Sequence, residues 1–171
     1  MLKTHPKRVL KCMIKKIFPW IVFVLLFALL IIGFSMKDST NNYLSELMKN
    51  QASSEITLSE KALIDSLYNY SANGLKYEIT FLEFGATGCA ACKRMESVME
   101  EFQSKYPNRV NVVFLNILLP ESQNLMKLYG IAAIPTQVLL NKEGKEFFRH
   151  TGYISTVELE QEINKPEIQN Y

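Results

Sequence analysis

Histidine is almost missing from this sequence: His5 and His150 are the two among 171 residues, and cysteine occurs three times, at Cys12, Cys89 and Cys92. A structural zinc site takes four ligands and a catalytic one three; Cys89-x-x-Cys92 offers two, there is no second such pair, and with His5 on the far side of the membrane anchor expected at 17–36, His150 is the one histidine left to complete a set. Acid is missing from residues 1–16, which carry six Lys and Arg. The remainder holds 13 basic and 17 acidic side chains, a net of −4, which excludes a nucleic-acid binder on charge grounds. Repeats and low-complexity tracts are missing too, and the composition is that of a folded protein.

Charge, Asn, Gln, Ser and Thr are all missing from residues 17–34, IFPWIVFVLLFALLIIGF. Eighteen residues at about 1.5 Å each are just long enough for a bilayer core of roughly 30 Å. A cleaved signal peptide has a shorter apolar region and a small-residue cleavage site; here Gly33-Phe-Ser-Met-Lys-Asp38 follows, a poor site. The expectation is an uncleaved anchor. Lys3, Lys7, Arg8, Lys11, Lys15 and Lys16 hold the N-terminus in the cytoplasm, and everything after the anchor faces outward. The expected plan is a basic cytoplasmic tail at 1–16, a transmembrane signal-anchor helix at 17–36, a polar tether at 37–56, a folded domain at 57–166 and a C-terminal tail at 167–171. Cys12 then lies inside and Cys89 and Cys92 outside, where disulfides persist, so Cys12 cannot pair with them within one chain.

Within the folded part, Thr57-x-x-Glu60 reads as a capping box opening a helix with apolar Leu58, Ala62, Leu63, Leu67 and Tyr70, closed at Asn73-Gly74. Residues 77–84 read as a buried strand, and helical spacing follows from Ala90 through Met95, Val98, Met99 and Phe102 to Tyr106-Pro107. A second strand at 110–117, a short helix from Pro120 to Gly130, a hairpin of 136–140 with 145–150, and a helix capped by Ser155 complete the order. That order is α/β: parallel βαβ pairing and then an antiparallel hairpin, one mixed sheet flanked by helices.

Cys89-Ala-Ala-Cys92 falls where the first strand gives way to a helix, after the small residues Gly85, Ala86, Thr87 and Gly88. Free N–H groups and the positive end of the dipole favour thiolate over thiol there. Cys89 is therefore the expected nucleophile. Cys92, one turn further in, is the expected resolving thiol, and both sulfurs are within bonding reach. Three readings stand side by side: a redox couple, part of a metal site completed by His150, or two small buried residues. Covalent haem is excluded, since Lys93 stands where its histidine would be.

Phe81-Leu-Glu-Phe84, Cys89-x-x-Cys-Lys93, Tyr129-Gly-Ile-x-x-Ile-Pro-Thr136, Asn141-Lys-Glu-Gly-Lys145 and Gly152 together resemble the thioredoxin family, over residues 57–166. The resemblance implies a thioredoxin-like fold, a redox-active Cys89–Cys92 disulfide with no other cofactor, and a cis peptide before Pro135. It also implies that Gly88, Ala90, Ala91, Ile134 and Gly152 line a weakly apolar substrate surface. Glu83 matches a buried acid that could take the proton of Cys92; alternation along the strand equally allows Glu83 to face outward. Two departures are Gly88 in place of a tryptophan and Ala90-Ala91 in place of Gly-Pro.

The implied function is a membrane-tethered thiol–disulfide oxidoreductase. It would reduce disulfides of exported proteins, apocytochromes c included, with electrons from an integral-membrane thiol donor, outside the cytoplasmic membrane of a bacterium. A disulfide oxidase or isomerase, a non-catalytic binding module and a metal-delivery protein are the alternatives.

Overall fold

The computed structural model describes residues 6–35, 37–50 and 54–165. The chain divides into two compact units, one up to Thr40 and one from Asn41.

The first unit contains α1 (Pro6–Ser35), one unbroken helix of 30 residues that passes through Pro19. Its described side chains cover 18–33, sixteen residues, all exposed; Phe23 and Phe27, one turn apart, stack at 6.4 Å. Among the described residues no helix is long and apolar enough to cross a membrane. The uncharged run of eighteen extends one residue beyond that stretch at each end. The side chain of Cys12, the N-terminal five residues and the expected C-terminal tail lie outside the described residues.

The second unit is built on four strands in the order β2-β1-β3-β4: β1 (Ile79–Gly85), β2 (Val110–Asn116), β3 (Thr136–Leu140) and β4 (Glu146–Thr151). β1 and β2 run parallel, joined by the crossover helix α5 (Ala90–Lys105). β3 runs antiparallel to β1 and forms a hairpin with β4. The helices α3 (Ser54–Tyr68), α4 (Tyr70–Asn73), α6 (Pro120–Leu128) and α7 (Thr156–Ile163) complete the expected order.

β1 is buried along its whole length, and alternation divides its side chains between two cores. Ile79 and Phe81 pack with Met95, Val98 and Phe102 of α5 and with Leu159 and Ile163 of α7. Leu82 and Phe84 pack on the opposite face with Tyr68 of α3 and Leu125 of α6. Fully burying one such side chain contributes roughly 1.5–3 kcal/mol.

Two expectations need correction. The third helix opens at Ser54, before Thr57, so Thr57 is not its cap; Glu60 is buried, and its Oε2 lacks a hydrogen-bond partner among the described residues. That helix also breaks at Asn69, which makes a β-bridge to Glu143, while the Tyr70 N–H donates to the Lys142 carbonyl at 2.8 Å. Asn69 Oδ1 then caps α4 by accepting from the Ala72 N–H, and Gly74 closes it at φ +76°. The polar tether of 37–56 contains the helix α2 (Lys37–Asn50), and the second compact unit begins at Asn41 within it.

Candidate active site

The site is assembled where β1 ends. Gly85 must be glycine because of its neighbours: a Cβ there would lie 2.7 Å from the Phe114 ring and 3.3 Å from Cys92 Cβ. Gly88 has φ +86°, a turn that L side chains adopt at a cost. The chain then enters α5 with Cys89 as its N-cap, and Cys89 Sγ accepts the Cys92 N–H at 3.1 Å. A sulfur in that position meets the unsatisfied N–H groups and the positive dipole end that stabilise a thiolate. Cys89 and Cys92 are joined as a disulfide, with Cα atoms 5.2 Å apart. Cys89 is half-buried and Cys92 is 4% exposed, so an incoming protein reaches Cys89 first.

Glu83 shares the face of β1 that Ile79 and Phe81 present to α5, and it is completely buried, which removes the outward-facing alternative. Burial pushes its carboxyl up to about 8, and the amide of Gln137, opposite it on β3, pulls weakly the other way. The two side chains lie close without reaching hydrogen-bond geometry, and the polar atoms of both lack partners among the described residues. A buried carboxyl with no ion pair and a value near neutrality is suited to exchanging protons.

The Ile134–Pro135 peptide is cis. Phe84 pairs with Thr136 and Thr136 with Thr151, so the segment before β3 and the segment after β4 both meet the end of β1 from which Cys89 departs. The Gly152 N–H donates to the Pro135 carbonyl at 2.8 Å, bringing Ile134, Pro135 and Gly152 together. Gly88 and Ala90 are exposed; Ala91, Ile134 and Gly152 are half-buried.

Reading the sequence missed the rim. The Arg94 guanidinium lies 5.4 Å from the centre of the Tyr153 ring, tying the first turns of α5 to the segment after β4 and adding charge and an aromatic to a surface expected to be small and apolar. Gln137 and Phe114 were missed as well. A lone Arg, Tyr, Gln or Phe carries no spacing signal, whereas Gly85 stood out as a small residue at a strand end. His150 directs Nε2 at the Tyr153 carbonyl, 3.1 Å away. Among the described residues no three His, Cys, Asp or Glu side chains are grouped to hold a metal.

A model of the thioredoxin-like domain matches residues 65–166. The chain belongs to the thioredoxin-like family. Thioredoxin of Buchnera aphidicola is 32% identical over 98 residues, a match covering 57% of this chain and 88% of that protein. The chloroplastic thioredoxin-like protein HCF164 of rice is 31% identical over 88 residues, 47% of this chain but 34% of that longer protein. The thiol-disulfide oxidoreductase ResA of Halalkalibacterium halodurans is 27% identical over 110 residues, 51% of this chain and 62% of that one. The thioredoxin-like domain is a disulfide oxidoreductase whose redox group is its own Cys89–Cys92 pair rather than an external cofactor.

Proposed function

We propose that the chain is a membrane-anchored reductase of protein disulfides working outside the cytoplasm. The observation that carries the reading is the asymmetry of the pair: an accessible Cys89 at the N-terminus of α5 and a buried Cys92 on the helix that covers Glu83. The reduced protein's Cys89 thiolate attacks one sulfur of a substrate disulfide, forming a mixed disulfide and releasing the other sulfur as a thiolate that takes a proton from water. Cys92 gives its proton to the ionised Glu83, and its thiolate attacks Cys89 Sγ. That step expels the second substrate sulfur as a thiolate, which takes a proton from water, and leaves the Cys89–Cys92 disulfide seen here. Two electrons pass to the substrate, and a membrane thiol donor returns them. With its carboxyl at about 8, about a tenth of Glu83 is ionised at neutral pH, enough to serve as acceptor while the buried face stays neutral.

The anchor is supported by the continuous helix α1 around the uncharged run 17–34, and the basic residues before it support an outward-facing domain. An anchor raises the effective concentration of the domain near a membrane donor. Exported proteins with exposed cysteine pairs, apocytochromes c among them, are the substrate class this placement suits.

The deciding experiment is the reduction potential of the full chain in detergent, poised against dithiothreitol or glutathione buffers and read by thiol alkylation. A reductase gives a value near the roughly −270 mV of thioredoxin; one near about −120 mV would make it an oxidant. If Cys89 and Cys92 never form a disulfide at any poise, the domain is a binding module.

A further inference from the structure

α2 lies outside the sheet, yet it touches the segment that leads into the cis peptide. Ser45, buried, donates from Oγ to the Gly130 carbonyl at 2.5 Å. Arg149 of β4 donates from Nη1 to Ser45 Oγ at 3.0 Å, and its Nε and Nη2 hold both carboxylate oxygens of Glu146 at 2.7 and 2.9 Å. The contact is close on the backbone side as well. Gly130 has φ +60°, and a Cβ there would fall 2.2 Å from the Ser45 carbonyl oxygen, so α2 lies where only glycine leaves room.

Downstream of Gly130 the loop is held at its far end. Thr136 Oγ1 donates to the Ala133 carbonyl at 2.8 Å, and the Pro135 carbonyl accepts from Gly152. Between these fixed points the N–H and C=O of Ile134 have no backbone partner among the described residues. They lie just before β3, at the end of the sheet where Cys89 starts α5. An extended substrate segment reaching Cys89 meets free donors and acceptors there, and pairing with them is the cheapest way to hold it in line with the sulfur.

We propose that α2 braces the Gly130–Pro135 loop, with Ser45 as a positioning residue that sets where the Ile134 backbone meets a protein substrate. The brace rests on the disulfide-exchange reading and adds to it a part for the helix that follows the anchor. It predicts a split between substrates. A protein disulfide uses the loop; a small disulfide needs only Cys89.

The test compares the full chain with Ser45→Ala in detergent, with insulin as the protein disulfide and hydroxyethyl disulfide as the small one. The expected result is a KM for insulin raised by about threefold to tenfold, the loss of one buried hydrogen bond. The rate with hydroxyethyl disulfide and the reduction potential stay unchanged. Arg149→Gln, which releases Ser45 from the side of β4, shifts the insulin KM the same way and serves if Ser45→Ala does not fold. An unchanged insulin KM in both variants, or equal slowing with both disulfides, overturns the brace alone. A wild-type chain that reduces neither disulfide sinks the oxidoreductase reading, and the brace with it.

Discussion

Glu83 is an acid that folding keeps protonated. Its carboxyl moves from the ordinary 4.5 to about 8 because burial penalises the charge, so between those two values the native state binds one more proton than the unfolded chain. The contribution of Glu83 to stability therefore falls as pH rises across that window and is constant on either side of it. Glu83→Gln, a neutral isostere, removes the slope. In urea titrations the variant is expected to match the wild type near pH 5 and to exceed it by a few kcal/mol near pH 9, at about 1.4 kcal/mol per unit. In the same variant, resolution of the mixed disulfide slows by roughly a hundredfold, since the nearby proton acceptor is lost. The sulfurs give a separate test: Cys92→Ser accumulates a mixed disulfide through Cys89, whereas Cys89→Ser traps none. Equal trapping by both, seen on non-reducing gels, would reverse the assigned roles. These residues were legible because their chemistry depends on residue type and spacing. The burial of Glu83 was not, since a period of two allows either face.

At the scale of elements, the site depends on how closely α5 approaches the end of β1. Gly85→Ala puts a methyl against the Phe114 ring and Cys92, and overpacking of that kind costs about 1–3 kcal/mol. Phe114 is 44% exposed and can yield, so Phe114→Leu is expected to recover much of the loss. Denaturant unfolding of the two single variants and the double completes the cycle, and strict additivity would show that the ring is not what Gly85 makes room for. Helices with local caps could be read in advance: Ser155 and Glu158 form the capping box at α7, and Pro120 opens α6. The break at Asn69 could not, because its cause is a β-bridge to Glu143, far along the chain.

For the whole molecule, the prediction concerns where it resides. A helix carrying the run 17–34 through a bilayer resists alkaline carbonate and yields to detergent. Leu26→Arg, a cation near mid-span, is expected to shift the chain markedly toward the soluble fraction at a cost of about 3 kcal/mol. A wild-type chain released by carbonate alone would sink the anchor. Protease added from outside is expected to cleave the segment after the helix and leave the basic N-terminus protected.

By itself the sequence determined what short-range physics controls: the order of strands and helices, the dithiol at a strand-to-helix junction, and the small residues around it. Hydrophobic period, caps and turn residues act over a few neighbours, so they are written locally. Tertiary structure alone decided which face of β1 Glu83 takes, that Arg94 meets Tyr153, that Asn69 interrupts a helix, and that Ser45 closes on Gly130. Each of these joins residues far apart in the chain, through burial, bridging or close backbone approach, and such pairings exist only once the sheet has brought them together.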